Sequence, residues 1–292
     1  MSERQPMCPL CGSAKYEVVY DLTTVHSPED VPGAVVRCRA CPMWFKLLAA
    51  SNGLPTAYPG EYGGDEIAAT YLLSGAARAL FREALATVEF AAPVATPRLL
   101  DIGAAQGALL EEAARLGFDA EGVDHCEDNV RRACAKGLNM RCTAAEDLSY
   151  QDAFDVVTLM DIIEHVPNPL GLLTTAHRAL KPGGELVVYT PNHRAAVVML
   201  AKLLHGCGVR YPIREIFGRN HVCFFDDRSL PFALHKAGFE VRLRRQFRYD
   251  PSRPGQYVSP LNLVAVSAVE WLGQPFQRVF RMLMYARKPP CA

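Results

Sequence analysis

Between residues 98 and 191 the chain alternates short apolar runs with helical patterns, and this alternation constrains the fold more than any other feature. "RLLDIG" reads as a strand and "ALLEEAARLG" as a helix; "DAEGVD" is a strand and "EDNVRRACAKG" a helix. "NMRC" is a short strand and "FDVVTLMD" a long buried one. "NPLGLLTTAHRALKPGG" follows as a helix with a Pro-Gly-Gly stop, and "ELVVYTPN" is again a strand. Strands spaced by helices predict an α/β fold, a parallel sheet with helices on both faces. "FEVRLRRQFR" and "RVFRMLMYARK" add two late strands. Between them "PLNLVAVSAVEWLGQPF" is a helix apolar enough around Trp271 to suggest a dimer or lipid contact, with core packing the preferred expectation. The 292 residues, half of them hydrophobic, allow one large domain plus a small appendage.

The appendage is predicted by cysteines. Cys8 and Cys11 lie in "CPLCG", Cys38 and Cys41 in "CRACP". Two C-x-x-C pairs at this separation supply four thiolates to one tetrahedral zinc. "KYEVVYDL", "GAVVRC" and "MWFKLL" read as its three strands, so residues 1–50 are expected to form a zinc ribbon. A closed four-thiolate site leaves no coordination position for chemistry, so the metal is expected to be structural. Residues 51–92 follow as a Gly/Pro/Tyr-rich linker or lid and a helix over 67–90, with Ile67, Tyr71, Leu72, Ala79, Leu80 and Leu85 on one side. Residues 93–292 are the main domain, with a substrate cap around 193–235.

In such a sheet, ligands sit beyond the carboxyl ends of the strands. At one such end, "RLLDIGAAQG" places Gly103, Ala105 and Gly107 at i, i+2 and i+4, unlike the dinucleotide fingerprint with its glycines at i, i+2 and i+5. Small residues there let backbone approach a ligand closely. Asp124 ends the next strand, where a carboxylate can accept hydrogen bonds from ribose hydroxyls. "AAED" (144–147) follows the third strand, where an acidic side chain can meet an exocyclic amine of adenine. The order of these markers points to a nucleoside.

The stretches "LLDIGAAQG", "EGVD", "AAEDL", "FDVVTLMDIIEHVPNPLGLL" and "RALKPGGELVVYTPN" resemble the class I S-adenosylmethionine-dependent methyltransferases over about residues 95–192. Within that class the chain is most similar to the group that includes the ubiquinone-biosynthesis O-methyltransferases and many enzymes of specialised metabolism. The ribbon resembles the zinc-binding appendage of some sugar and natural-product methyltransferases. The resemblance implies a Rossmann-like seven-stranded sheet and S-adenosylmethionine as cofactor. It implies that Gly103, Ala104, Ala105 and Gly107 hold the methionine part, with Asp101 orienting loop and amino group. Asp124, with His125 beside it, would bind the ribose; Glu146, Asp147 and Leu148 would flank the adenine. Asp161, next to Met160, would lie by the methyl-bearing sulfur, and Tyr62 and Tyr71 would close over the cofactor. Ala105 departs from the family's usual glycine and implies a slightly tighter loop.

His165 in "DIIEHVPN" and His221 in "GRNHVCFF" are the candidate bases for a hydroxyl acceptor, ahead of His193. Glu164 and His165 alone are too few ligands to define a metal site. Arg210, Arg214, Arg219 and Arg228 lie in a basic segment: residues 202–254 hold 11 basic and 5 acidic side chains. That segment predicts an anionic group on a small-molecule acceptor. Zero net charge, and 7 basic against 10 acidic side chains in residues 1–90, argue against nucleic acid. "MSERQPMCPLCG" lacks an apolar leader core and no run is long enough for a membrane span, so a cytoplasmic protein is expected, as monomer or homodimer. Oxygen is the expected acceptor atom. Carbon or nitrogen of a sugar, acid or carrier-bound intermediate, an RNA substrate, and a non-catalytic binding protein are the alternatives.

Overall fold

A computed structural model describes residues 6–24, 32–48, 74–218, 220–247 and 260–290. Tyr62, Tyr71, Ile67, Leu72 and Arg219 therefore lie outside the described residues. Three strands open the chain: β1 (Tyr16–Leu22), β2 (Gly33–Cys38) and β3 (Trp44–Leu48), paired antiparallel in that order. Helix α1 (Gly75–Ala86) follows, with the Ser74 hydroxyl accepting the Ala77 N–H at its start.

The main sheet has seven strands. β4 (Arg98–Ile102), β5 (Asp119–Asp124), β6 (Met140–Cys142), β7 (Phe154–Met160) and β8 (Leu180–Pro191) run parallel. β10 (Glu240–Phe247) and β11 (Arg281–Arg287) complete it, with β11 inserted antiparallel between β8 and β10. The order is β10-β11-β8-β7-β4-β5-β6. The α/β fold read from the alternation is the fold found, with the seven-stranded Rossmann-like sheet that the resemblance implies. Helices α2 (Ala108–Arg115), α3 (Glu127–Cys134) and α4 (Pro169–Ala179) are the crossovers. The chain reverses its direction of growth between β4 and β7, which puts the binding crevice beyond the carboxyl ends of those two strands.

Three local readings need correction. "LKPGG" does not end α4; the helix stops at Ala179 and these residues already belong to β8. The register between β7 and β8 slips between Phe154 and Val156, so the Pro-Gly-Gly becomes an irregularity within the strand, with Gly183 at φ +79°. On α1 the buried stripe is Ala77, Phe81, Ala84 and Leu85, and Ala79 faces solvent. Trp271, on the last helix α8 (Pro260–Gly273), is 64% exposed and is not a core residue.

The segment read as a cap holds α5 (Ala196–Gly206), α6 (Tyr211–Phe217), the two-residue strand β9 (Cys223–Phe224) and α7 (Ser229–Lys236). β9 pairs with β3 and makes the N-terminal sheet four-stranded. The cysteine-bearing unit thus shares a core with the main domain: Cys8, Leu10, Met43 and Phe45 pack in the same cluster as Ile163, Val222, Cys223 and Phe225. Among the described residues no helix is long and apolar enough to cross a membrane.

Helix α2 starts at the ligand loop, and its placement depends on one buried carboxylate. Glu112 is fully buried and pairs with Arg78 at 2.9 Å, Arg82 at 3.0 Å and Arg115. Two of those arginines stand on α1, so the pairs clamp α1 to α2. Glu112→Ala is expected to cost about 2 kcal/mol, because three guanidinium groups lose a shared charged partner. Urea denaturation of the purified variant checks this; a loss below about 0.5 kcal/mol, the range of a neutral surface change, would show that the clamp is not structural.

Candidate active site

The loop after β4 is built by hydrogen bonds to the ends of its neighbours. The N–H groups of Gly103 and Ala104 donate to the Val123 carbonyl at 2.8 and 3.0 Å, and Gly107 N–H donates to Ala104 at 2.9 Å. Gly103, Ala105 and Gly107 all have positive φ, +79°, +47° and +77°. Only glycine fits at 103, where a Cβ would come within 2.3 Å of Ile162 Cδ1. The same contact brings the loop against the turn that follows β7. At Ala105 the left-handed backbone carries a Cβ, which is strained.

Asp124 holds this loop. One carboxylate oxygen accepts the Ala105 N–H at 2.8 Å, the other the Cys126 N–H at 2.9 Å at the start of α3. Each oxygen keeps a second lone pair, so the group is able to accept ribose hydroxyls as well. Asp101 lies beneath, buried, and accepts from Thr158 Oγ1 at 2.7 Å. Burial pushes its carboxyl up to about 7, with the charge of Asp124 adding to the shift. Ala104, Leu148 and Met160 are buried, whereas His125, Glu146 and Asp147 are exposed around the mouth.

Across the crevice the "DIIEH" turn carries the acid–base candidates. Asp161 leaves β7 at φ +53°, a backbone state aspartate tolerates, and its N–H donates to Tyr189 at 2.9 Å. Arg281 of β11 donates to its carboxylate at 2.6 Å. The Glu164 carboxyl is buried: Oε2 accepts from Thr190 Oγ1 at 2.8 Å and Oε1 has no hydrogen-bond partner. Burial, aided by the nearby Asp161 charge, holds this carboxyl well above its ordinary range. His165 is buried, its Nδ1 3.4 Å from the Asn220 carbonyl, and burial pushes its imidazole down to about 4. His221 stands edge-on to it, ring centroids 4.6 Å apart.

Three donor atoms, from Glu164, His165 and His221, lie within 4.8 Å of one another, a set able to hold a divalent cation. The structure thus adds His221 to a pair too small to define a metal site by itself. His193 is placed differently. It is buried among Phe217, Phe224 and Phe280, with Nδ1 3.1 Å from the Phe225 carbonyl, as a packing residue. Arg281 and Thr158 were not singled out by sequence reasoning; the signal for Thr158 was a polar side chain within the apolar run Val156–Met160. Among the described arginines of the basic segment, Arg210 and Arg228 are exposed and Arg214 donates to the Thr24 carbonyl at 2.6 Å.

At the N-terminal sheet Cys8 Sγ lies 3.5 Å from Cys41 Sγ, and Cys11 Sγ 3.5 Å from Cys38 Sγ. All four sulfurs fall within 4.8 Å of one another. Sulfurs bound to one tetrahedral zinc at about 2.3 Å sit close to that spacing, far from the ~2.05 Å of a disulfide.

The methyltransferase-domain family model matches residues 76–243. The chain is 39% identical over 127 residues to a ubiquinone biosynthesis O-methyltransferase of Caulobacter sp. (strain K31), covering 41% of this chain and 49% of the relative. It is 32% identical over 171 residues to the protein of that name from Xylella fastidiosa, covering 55% and 68%. The chain spans about half the length of the Caulobacter relatives it matches. In fold it is similar to an S-adenosylmethionine-dependent methyltransferase of Archaeoglobus fulgidus, with TM-score 0.51 and 20% identity over 73% of this chain and 93% of that one. It is also similar to the [4+2]-cyclase SpnF, with TM-score 0.52 and 23% identity over 74% and 82%. The family match spans more than half of the chain, and the chain belongs to the methyltransferase-domain family.

Two substitutions separate the roles within the loop. Ala105→Gly is expected to stabilise the fold by about 1 kcal/mol by relieving the left-handed alanine. Asp124→Ala is expected to weaken S-adenosylmethionine at least about tenfold, since it removes the ribose acceptor and frees two loop amides. Calorimetric titration checks both the affinity and, through thermal unfolding, the stability; unchanged affinity in Asp124→Ala would remove this carboxylate from the nucleoside site.

Proposed function

We propose that this member of the methyltransferase-domain family transfers the methyl group of S-adenosylmethionine to the oxygen of a small-molecule acceptor. The observation that carries the reading is the contact of Gly103 with Ile162, which faces the cofactor loop with the acid–base turn across the β4–β7 crevice. The cofactor, when bound, supplies an electrophilic methyl group on a positively charged sulfur. The loop 103–107 holds its methionine part, Asp124 its ribose, and the edge formed by Glu146, Asp147 and Leu148 its adenine. The residues 161–165 and His221 then shape the acceptor side.

The acceptor hydroxyl must lose its proton as the new bond forms. His165, neutral at physiological pH, takes it, and His221 in ring contact passes it towards the half-exposed edge. Glu164, bonded through Oε2 to the Thr190 hydroxyl, orients the turn. Orientation in such a closed site is worth ~7–11 kcal/mol in favourable cases, more than the ~10²–10⁴-fold that a general base adds. The names of the Caulobacter and Xylella relatives support oxygen as the acceptor atom. An anionic acceptor remains part of the reading through the charge of residues 202–254, and RNA is disfavoured by zero net charge. SpnF, named as a cyclase, shows that the fold by itself does not fix the reaction.

We further infer that Cys8, Cys11, Cys38 and Cys41 bind one structural zinc. The fit is in the sulfur spacing and in the burial of Cys8 and Cys38. Metal analysis of freshly purified protein is expected to give one zinc per chain; protein that is fully folded with none would end this assignment.

Methyl-labelled S-adenosylmethionine, incubated with the protein and an extract of its source cells, is expected to label a small-molecule fraction. Label confined to RNA would replace the reading. With the labelled acceptor in hand, the pH profile tests the base. Because the folded His165 lies near 4 against an ordinary 6.5, it stays neutral as pH falls through 6.5. The acid limb of kcat/KM is therefore expected near pH 4 to 5, and a limb centred at 6.5 would exclude His165.

A further inference from the structure

β9 is only two residues long, and its single strand partner is β3 of the cysteine-bearing unit. Trp44 pairs with Phe224 and Phe45 with Cys223. The Val222 peptide is held from both sides. Its carbonyl accepts the Lys46 N–H of β3 at 2.9 Å, while the N–H groups of Val222 and Cys223 both donate to the Glu164 carbonyl at 2.9 Å. His221 is the next residue back along the chain. A two-residue strand has little stability of its own, so its position follows that of the strand it pairs with.

β3 in turn is fixed by the cysteine knuckles. Cys38 N–H donates to the Met43 carbonyl at 2.9 Å, closing the second knuckle directly against the start of the strand. A small sheet of this kind draws its folding energy from its metal. One further tie runs the same way: Lys236 Nζ donates to the Leu10 carbonyl at 2.6 Å, at the first knuckle. By contrast, the hydrogen bonds on the cofactor loop come from β5, from within the loop and from Lys136 after α3, and Asp101 below it bonds β7. The hydrogen-bonded supports of the two halves are therefore separate, although the strands beneath both pack in the apolar cluster that holds Cys8, Leu10 and Phe45.

We propose that the four-cysteine unit is a positioning element of the acceptor site: with zinc bound it holds β3 against β9, and so fixes Glu164 and His221, while the cofactor loop stands without it. This rests on the reading of residues 161–165 and 221 as the acceptor side. It gives a metal with no open coordination position a role in the reaction through main-chain geometry. It also accounts for the ribbon being joined to this domain without the charge of a nucleic-acid binder.

The test is hydrogen–deuterium exchange on the intact protein with its zinc, after removal of zinc by a chelator, and after zinc is restored. Peptides covering 43–48, 161–165 and 220–225 are expected to exchange at least about tenfold faster without zinc, and to recover with it, whereas peptides covering 98–107 and 119–126 stay protected. S-adenosylmethionine affinity by calorimetry is expected to change less than about threefold, which keeps the cofactor reading separate from this one. Trp44→Ala, which leaves all four thiols in place, is expected to deprotect 220–225 with zinc still at one per chain. Faster exchange confined to residues 6–48 would overturn the proposal, because the unit would then be an independent appendage. Faster exchange spread equally over 98–126 would also overturn it, because zinc would then stabilise the whole fold and no one half of the site.

Discussion

The close approach of Gly103 to Ile162 is the constraint on which the site depends. A Cβ at 103 would sit 2.3 Å from the isoleucine side chain, well inside van der Waals contact. Its absence lets the turn after β7 lie over the loop after β4, at the point where the sheet reverses its direction of growth. Everything that follows is a matter of pinning these two turns. Asp124 and the Val123 carbonyl pin the loop through main-chain amides. Arg281, Tyr189 and the Val222–Cys223 peptide pin the turn. The sheet supplies the meeting point and these contacts supply the precision.

The second theme is dryness. Burial moves Asp101 up to about 7, Glu164 well up, His165 down to about 4 and His193 down to about 3. All four shifts have the same first cause and the same sense, towards the uncharged form. The Asp161–Arg281 pair is the charge left at the seam. In the proposed reaction a positive charge on sulfur ends as a proton on the protein. A low-dielectric wall around that transfer favours dispersal of the charge and excludes water as a rival acceptor. Two of the non-glycine residues with left-handed backbone, Asp161 and Ala105, and the unpartnered Glu164 Oε1 lie where the two turns meet; others, Asp152 and Gln277 among them, lie elsewhere in the fold.

How much of this was legible follows from the kind of information each feature uses. Strand–helix alternation is a local signal repeated along the chain, so sheet, crossovers and cofactor loop could be read directly. The Pro-Gly-Gly after α4 misled because a turn signal says that the chain bends and not what it bends against; a Cβ at Gly184 would come within 3.0 Å of the Asp155 carbonyl oxygen, and the bend lies inside a strand. Trp271 misled because an apolar helix states its composition and not which neighbours cover it. The pairing of β3 with β9 joins residues about 180 positions apart through main-chain atoms, and the side chains at Lys46 and Val222 carry no mark of it. His221 was visible as a histidine in the right segment, but its contact with His165 depends on that pairing.

These considerations divide the molecule by the family match. Residues 76–243 contain the loop after β4, Asp124, the 161–165 turn and β9, the elements to which the proposed methyl transfer is assigned. The supports of the acceptor side come largely from outside it. β3 and the cysteine knuckles precede the match, and Arg281 on β11 follows it. Relatives named for O-methylation therefore inform the chemistry of the turn more than the shape of the acceptor. Specificity is a difference between competing substrates and is set by the wall that each must fit. In the proposed site that wall leans on β3 near the start of the sequence and on Arg281 of β11, a strand of the main sheet itself, near its end.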